Sequence, residues 1–109
     1  MFAATPQPPY YAVIFSSQLS EQAADYQELA QRMLDLAAAQ PGFLGVESVR
    51  DATGAGLTVS YWRSLPDIAA WKRHSEHQVA QQLGKSQFYT DFRLRIAVVE
   101  SETGLQLLR

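Results

Sequence analysis

The stretch FYTDFRLRIAVVES, Phe88 to Ser101, decides the fold. Phe92, Leu94, Ile96 and Val98 alternate with Arg93, Arg95, Ala97 and Val99, and a period of two puts the apolar set on one side of a strand. Immediately upstream lies a helical segment. Ser64-Leu65-Pro66-Asp67 has a hydroxyl at the cap position and an acid three residues on, with proline in the first turn where its missing amide costs little. Leu65, Ile68, Ala69 and Trp71 supply the apolar side of this helix. Ser75-Glu76 has the pattern of a fresh cap, which predicts a bend into a second short helix, His77 to Leu83, stopped by Gly84.

Working further outward, LTVSYWRS (57–64) and FLGVESVRD (43–51) flank Asp51-Ala-Thr-Gly-Ala-Gly56, a segment dense in turn formers, and the three together predict a hairpin. Simple alternation over 43–51 puts Leu44, Val46 and Ser48 on one side and Phe43, Glu47 and Val49 on the other. Upstream of that, SEQAADYQELAQRMLDLAAAQ (20–40) repeats apolar residues at helical spacing: Tyr26, Leu29, Met33 and then Leu36 or Ala37. Ser20 is its expected N-cap, and Pro41-Gly42 ends it. YYAVIFSS (10–17) is β-branched and aromatic and predicts the first strand. Residues 1–9, with Pro6, Pro8 and Pro9, predict an extended arm. A domain over 10–100 and a tail over 101–109 complete the expected organisation.

The resulting order is strand, helix, strand, strand, helix, strand. That is the ferredoxin-like βαββαβ arrangement, α+β with an antiparallel sheet and both helices on one face. The other face keeps apolar residues such as Tyr10 or Tyr11, Val59, Tyr61 and Val99, and 109 residues leave no third layer to cover them. A homodimer packed sheet against sheet is the expected solution.

Composition narrows the function. Hydrophobic residues make up 47% and charged ones 18%, the balance of one folded domain rather than a disordered chain. Nine Lys+Arg against eleven Asp+Glu give a net charge of −2 without a basic cluster, so there is no electrostatic footprint for nucleic acid. With no cysteine, disulfides, thiolate metal sites and cysteine nucleophiles are excluded. MFAATPQPPYY lacks the pattern of a signal or transit peptide and no segment has the length of a membrane span, so the cytoplasm is the expected compartment. There is no phosphate loop or nucleotide fingerprint; Gly54-Ala-Gly56 lies in a hairpin with no helix behind it. No cofactor is expected.

YYAVIFSSQ, QPGFLGVESVRD, LTVSYWRSLPDIAAWKRHSEH and QQLGKSQFYTDFRLRIAVVE together resemble the antibiotic biosynthesis monooxygenase-like proteins of the dimeric α+β barrel superfamily. The likeness is to its small bacterial members, and runs from Tyr10 to Glu100. It implies a ligand cavity between helices and sheet and a dimer through the opposite faces. Relatives range from quinone-forming oxygenases to haem-degrading enzymes, so the fold alone leaves the reaction open. The haem-degrading branch implies a tryptophan on the second helix, matched by Trp71. It also implies a haem-ligating histidine further along, where Gln81 stands, and an asparagine on the first strand, where Phe15, Ser16 or Ser17 stands.

Three residue groups could carry chemistry. His74 and His77, the two histidines, stand one helical turn apart. They could be a solvated helix end, a weak metal pair lacking a third ligand, or, for His74, an acid/base at a cavity edge beside Trp71. No metal site is expected. Trp62, Trp71, Tyr61, Phe88 and Tyr89 form an aromatic set that is either core or the wall of a pocket for a flat, quinol-like substrate. Arg93 and Arg95 should face the dimer interface or its rim, paired with Glu47 or Asp91. The expected activity is a cofactor-independent monooxygenase acting on a small aromatic or enolisable compound, with Trp71 and His74 as catalytic residues and Tyr61, Trp62 and Phe88 as substrate contacts. A haem-binding, haem-degrading enzyme and a non-enzymatic small-molecule-binding or stress-related dimer are the alternatives.

Overall fold

The computed structural model describes residues 2–21, 26–83 and 88–105, with the backbone alone described over 76–83. The elements run β1 (Tyr10–Leu19), α1 (Tyr26–Ala38), β2 (Phe43–Arg50), β3 (Ala55–Trp62), α2 (Leu65–Leu83) and β4 (Tyr89–Val99). All pairings are antiparallel and the strand order is β2-β3-β1-β4, the ferredoxin-like arrangement. β1 and β3, each half β-branched or aromatic, take the interior positions, where both edges are hydrogen-bonded. Ser20 donates its backbone N–H to Phe88 O at 2.8 Å, joining the end of β1 to the start of β4. The turn expected to follow a Ser20 cap, residues 22–25, lies outside the described residues.

Val13 from β1, Trp62 from β3, Ala37 from α1 and Ile68 from α2 form the core, with Tyr11, Phe43, Trp71 and Leu94 packed on it. Trp62 is 0% exposed, and its indole N–H donates to Ser60 Oγ at 2.9 Å. Burial of this ring without loss of its hydrogen bond makes it the anchor of the domain. Gly42 closes the turn between α1 and β2 at φ 85°, a conformation open to glycine, and a Cβ there would collide with the Asp67 carboxylate. Ser64 caps α2 as its sequence indicates: Asp67 N donates to Ser64 Oγ at 3.2 Å, and that hydroxyl donates to Asp67 Oδ2 at 2.8 Å.

Two local expectations are corrected. α2 is one helix through residue 83, without a new start at Ser75-Glu76. Ser75 is buried and its hydroxyl donates to Trp71 O at 2.7 Å, so it serves the helix from inside instead of capping a new one. In β2, strict alternation fails at its start. Phe43 pairs with Trp62 and Gly45 with Tyr61, so Leu44 is an extra residue, and this bulge returns Phe43 to the helix side with its ring 5.5 Å from that of Trp62.

On the sheet face away from the helices, the arm and the tail cover one end. Ala3 N and the Tyr61 hydroxyl both donate to Glu47 at 2.8 Å, while the Tyr10 hydroxyl donates to Glu102 at 2.8 Å. Beyond them, Val49 and Leu57, register partners across β2 and β3, remain 58% and 43% exposed. Arg93 pairs with Asp91 at 2.7 Å; Glu47 is engaged by Tyr61 and the arm instead.

Candidate functional site

Placement of the helices creates an opening. Among the described residues, α1 packs against β2, α2 packs against β3, and the helices touch each other, while neither makes a comparable contact with β4. The even-numbered residues of β4 pair with the core-facing residues of β1: Phe92 with Ser17, Leu94 with Phe15, Ile96 with Val13, and Val98 with Tyr11. They therefore point to the helix side. Leu94 reaches the core, whereas Phe92, Ile96 and Val98 stay 54%, 46% and 49% exposed. Among the described residues an apolar trough thus runs along β4 on the helix side, with β1 beside it.

Trp71 stands at the level of the sheet where Trp62 pairs with Tyr11 and Tyr11 with Val98. Its ring lies 5.2 Å from that of Trp62, tilted by 35°, and it packs on the core cluster that includes Tyr11, Phe43 and Leu94. Its indole N–H is buried and has no acceptor among the described residues. A buried donor without a partner costs about 1–3 kcal/mol, so this group is either a point of weakness or a donor kept for a ligand oxygen.

The other end is polar and aromatic. Arg50, the last residue of β2, lies across the sheet over Gly56, where a Cβ would collide with its guanidinium. Nη1 donates to Gly54 O at 2.6 Å, and Nη2 donates to Ser17 Oγ at 2.7 Å and to the Tyr26 hydroxyl at 3.0 Å. The guanidinium carbon stands 4.9 Å from the centre of the Tyr26 ring, a cation–π distance. Tyr89 donates to the Tyr26 hydroxyl at 3.3 Å, and its ring makes edge contacts with Tyr26 and Phe15 at 5.6 and 5.5 Å. Burial above all, with the hydrogen bond to Tyr26, pushes the Tyr89 phenol far above its ordinary range, against the opposing pull of Arg50.

The sequence-derived site residues divide between these places. Trp71 and Trp62 come together at the helix–sheet contact. Phe88 is buried, but beside Tyr26 at the Arg50 end, away from the tryptophans. Tyr61 does not line the helix–sheet space: adjacent strand residues point to opposite faces, so Trp62 inside puts Tyr61 outside, edge-on to Tyr10 at 5.7 Å. Burial, then the bond to Glu47, pushes its phenol up to about 12. His74 is exposed, and the buried side of α2 continues from Trp71 through Ser75, four residues on. The His77 and Gln81 side chains lie outside the described residues. Among the described residues no three His, Asp or Glu side chains gather as a metal site would need, and no helix is long and apolar enough to cross a membrane. Arg50, Ser17, Tyr26 and Tyr89 were not singled out as a group by sequence. The available signal was a lone arginine at a core-facing position of β2, in step with Val46 and Ser48.

A four-stranded antiparallel sheet with two helices on one face defines the class: a small ferredoxin-like α+β domain, here with an exposed apolar row along β4 on its helix side. The chain belongs to the antibiotic biosynthesis monooxygenase family, which it matches over residues 9–83. It is 56% identical over 98 residues to the uncharacterized protein YqjZ of Bacillus subtilis (strain 168), covering 90% of this chain and 86% of that one. Its fold is also similar to SnoaB, a cofactor-independent oxygenase from Streptomyces nogalater, with a TM-score of 0.66 at 13% identity over 90% of this chain and 98% of that one. Rv0793 from Mycobacterium tuberculosis is similar as well, with a TM-score of 0.63 at 17% identity over 88% and 98% of the two chains.

Proposed function

We propose that the protein is a cofactor-independent monooxygenase of the cytoplasm, working as a homodimer on a small aromatic, quinol-like or enolisable compound held in the β4 trough. The observation that carries this reading is the exposed apolar row Phe92, Ile96 and Val98 on the helix side, whose Val98 end is level with Trp62 and the Trp71 ring on it, together with a buried Trp71 N–H that has no acceptor among the described residues. An apolar groove with one oriented donor suits a flat ring bearing a carbonyl or hydroxyl oxygen. Family membership and the fold shared with an oxygenase that needs no cofactor support the same reaction class.

In this reading the substrate supplies the electrons. A ring methylene conjugated with a carbonyl, as across the central ring of anthrone, loses a proton to give an enolate, which passes one electron to dioxygen. The resulting radical pair closes a carbon–oxygen bond, and the hydroperoxide loses water to leave a second carbonyl. The balance is one methylene and one dioxygen giving one carbonyl and one water. The protein contributes orientation and exclusion of water, with Trp71 N–H donating to the substrate oxygen on which enolate charge gathers. His74, exposed and one turn along α2 from Trp71, accepts the proton. Trp62 supports the Trp71 ring from behind, and the apolar area around Val49 and Leu57 on the opposite face is the dimer contact.

Oxygen uptake by purified protein with anthrone tests this. Trp71→Phe and His74→Ala should each slow turnover by about a hundred- to a thousandfold, the usual range for losing one hydrogen-bond donor or one general base. Wild-type rates in both variants would remove the assigned roles.

A further inference from the structure

The cluster around Arg50 has many donors and few acceptors. A guanidinium carries five N–H groups, and each hydroxyl adds one more. Against these stand Gly54 O, Ser17 Oγ and the Tyr26 hydroxyl oxygen, and the Tyr26 oxygen also accepts from Tyr89. No carboxylate of the described residues pairs with Arg50. Asp51, its neighbour in sequence, is committed elsewhere: Oδ1 accepts from Thr53 N at 2.9 Å, Thr53 Oγ1 at 2.6 Å and Ala55 N at 3.1 Å. Those bonds, that of the Thr53 hydroxyl foremost, hold its carboxyl below the ordinary range, and Arg50 has no part in the shift.

The cation is also fixed in place. Gly56 gives it room to lie flat on the sheet, two hydroxyls and a carbonyl set its plane, and the Tyr26 ring backs it. Rings surround it: Tyr26 touches Phe88 and Tyr89, and Phe15 touches Tyr89 and Phe92. Phe92 is the exposed residue that opens the trough at this end. A half-buried guanidinium lacking an anion is costly, and the N–H groups that Gly54, Ser17 and Tyr26 leave over, on Nη1 and Nε, can each form a charge-assisted bond to an anionic oxygen.

We infer that Arg50, with Ser17 and Tyr26, is a binding site for the anionic oxygen group of a flat aromatic molecule, a ring carboxylate, whose ring lies against Phe15, Tyr89 and Phe92. This site shares the trough with the oxygenase reading but none of its chemistry, so binding without turnover reads it separately. Tyr89, held protonated by burial, keeps Tyr26 in place across the neutral range.

Calorimetric titration with 2-naphthoate, its neutral amide and acetate tests the inference. The acid should bind at least about tenfold more tightly than the amide, the size of one charge-assisted hydrogen bond, and acetate, lacking the ring, should bind more weakly than the acid. Arg50→Gln should abolish the preference for the acid, and Arg93→Gln, which alters an exposed arginine of the other face, should keep it. Gly56→Ala retains the charge but displaces the guanidinium, and should weaken the acid selectively, so the test stands even if Arg50→Gln does not fold. Equal affinity for acid and amide, a preference that survives Arg50→Gln or Gly56→Ala, acetate binding as tightly as naphthoate, or no naphthoate binding would each overturn it. Oxygen uptake with anthrone, which has no carboxylate, is unaffected by any of these outcomes.

Discussion

The two tryptophans that touch each other should respond differently to the same substitution. Trp62→Phe deletes a ring from a side chain that is 0% exposed and strands Ser60 Oγ, itself buried, without its donor. A lost hydrogen bond costs about 1 kcal/mol and the space left by part of an indole about 1–3 kcal/mol more, so the variant should lose about 2–4 kcal/mol. Trp71→Phe deletes the same atoms from a half-buried side chain, and also removes a buried N–H that has no acceptor. Relief of that donor returns about 1–3 kcal/mol, which offsets the lost packing and leaves a net change within about 1 kcal/mol. Urea unfolding followed by far-ultraviolet circular dichroism, at one fixed protein concentration, measures both without relying on the fluorophores being changed. Equal losses in the two variants would mean that the Trp71 N–H is satisfied in the free protein, and the case for a donor reserved for substrate would collapse.

Other consequences are equally concrete. Ser64→Ala should cost about 1 kcal/mol in the same assay, because it leaves the Asp67 amide at the start of α2 without its cap. Tyr61, with its phenol raised to about 12 from the usual 10.0, retains its proton in the folded state after the unfolded state has lost it. Stability should therefore be complete below pH 10 and fall between about pH 10 and 12, and Glu47→Gln should reduce the fall; a flat profile in that window would refute it. Leu57→Glu places a charge beside Val49 on the exposed sheet face and should turn the proposed dimer into monomer by sedimentation velocity; an unchanged sedimentation coefficient would remove that contact. Hemin should keep the Soret band of the unbound form, because the described imidazole of α2, His74, is exposed instead of buried beside Trp71.

The fold was legible because each element carried its own period and its own punctuation. The alternation over Phe92 to Val99, the Ser64–Asp67 cap and the Pro41-Gly42 stop all act locally, and local rules suffice to order the strands. What sequence misjudged depends on partners. Ser75 has the composition of a cap, yet its hydroxyl bonds to the preceding turn. Leu44 is the extra residue of a bulge that only the pairing with β3 reveals. The aromatic set was read as one group, but strand pleating sends Tyr61 outward, and the length of β1 separates Phe88 from the tryptophans. The Arg50 cluster joins residues from β1, α1, β2 and β4, a convergence that no spacing in the chain expresses.

The most direct test of the oxygenase assignment is turnover of anthrone under isotopically heavy dioxygen with protein stripped of metal by chelation. Incorporation of one heavy oxygen into the new carbonyl, with the other released as water and one dioxygen consumed per substrate, is the expected result. Product formed only at the rate of buffer alone, or a new carbonyl carrying oxygen from solvent under conditions where carbonyl exchange is slow, would contradict it.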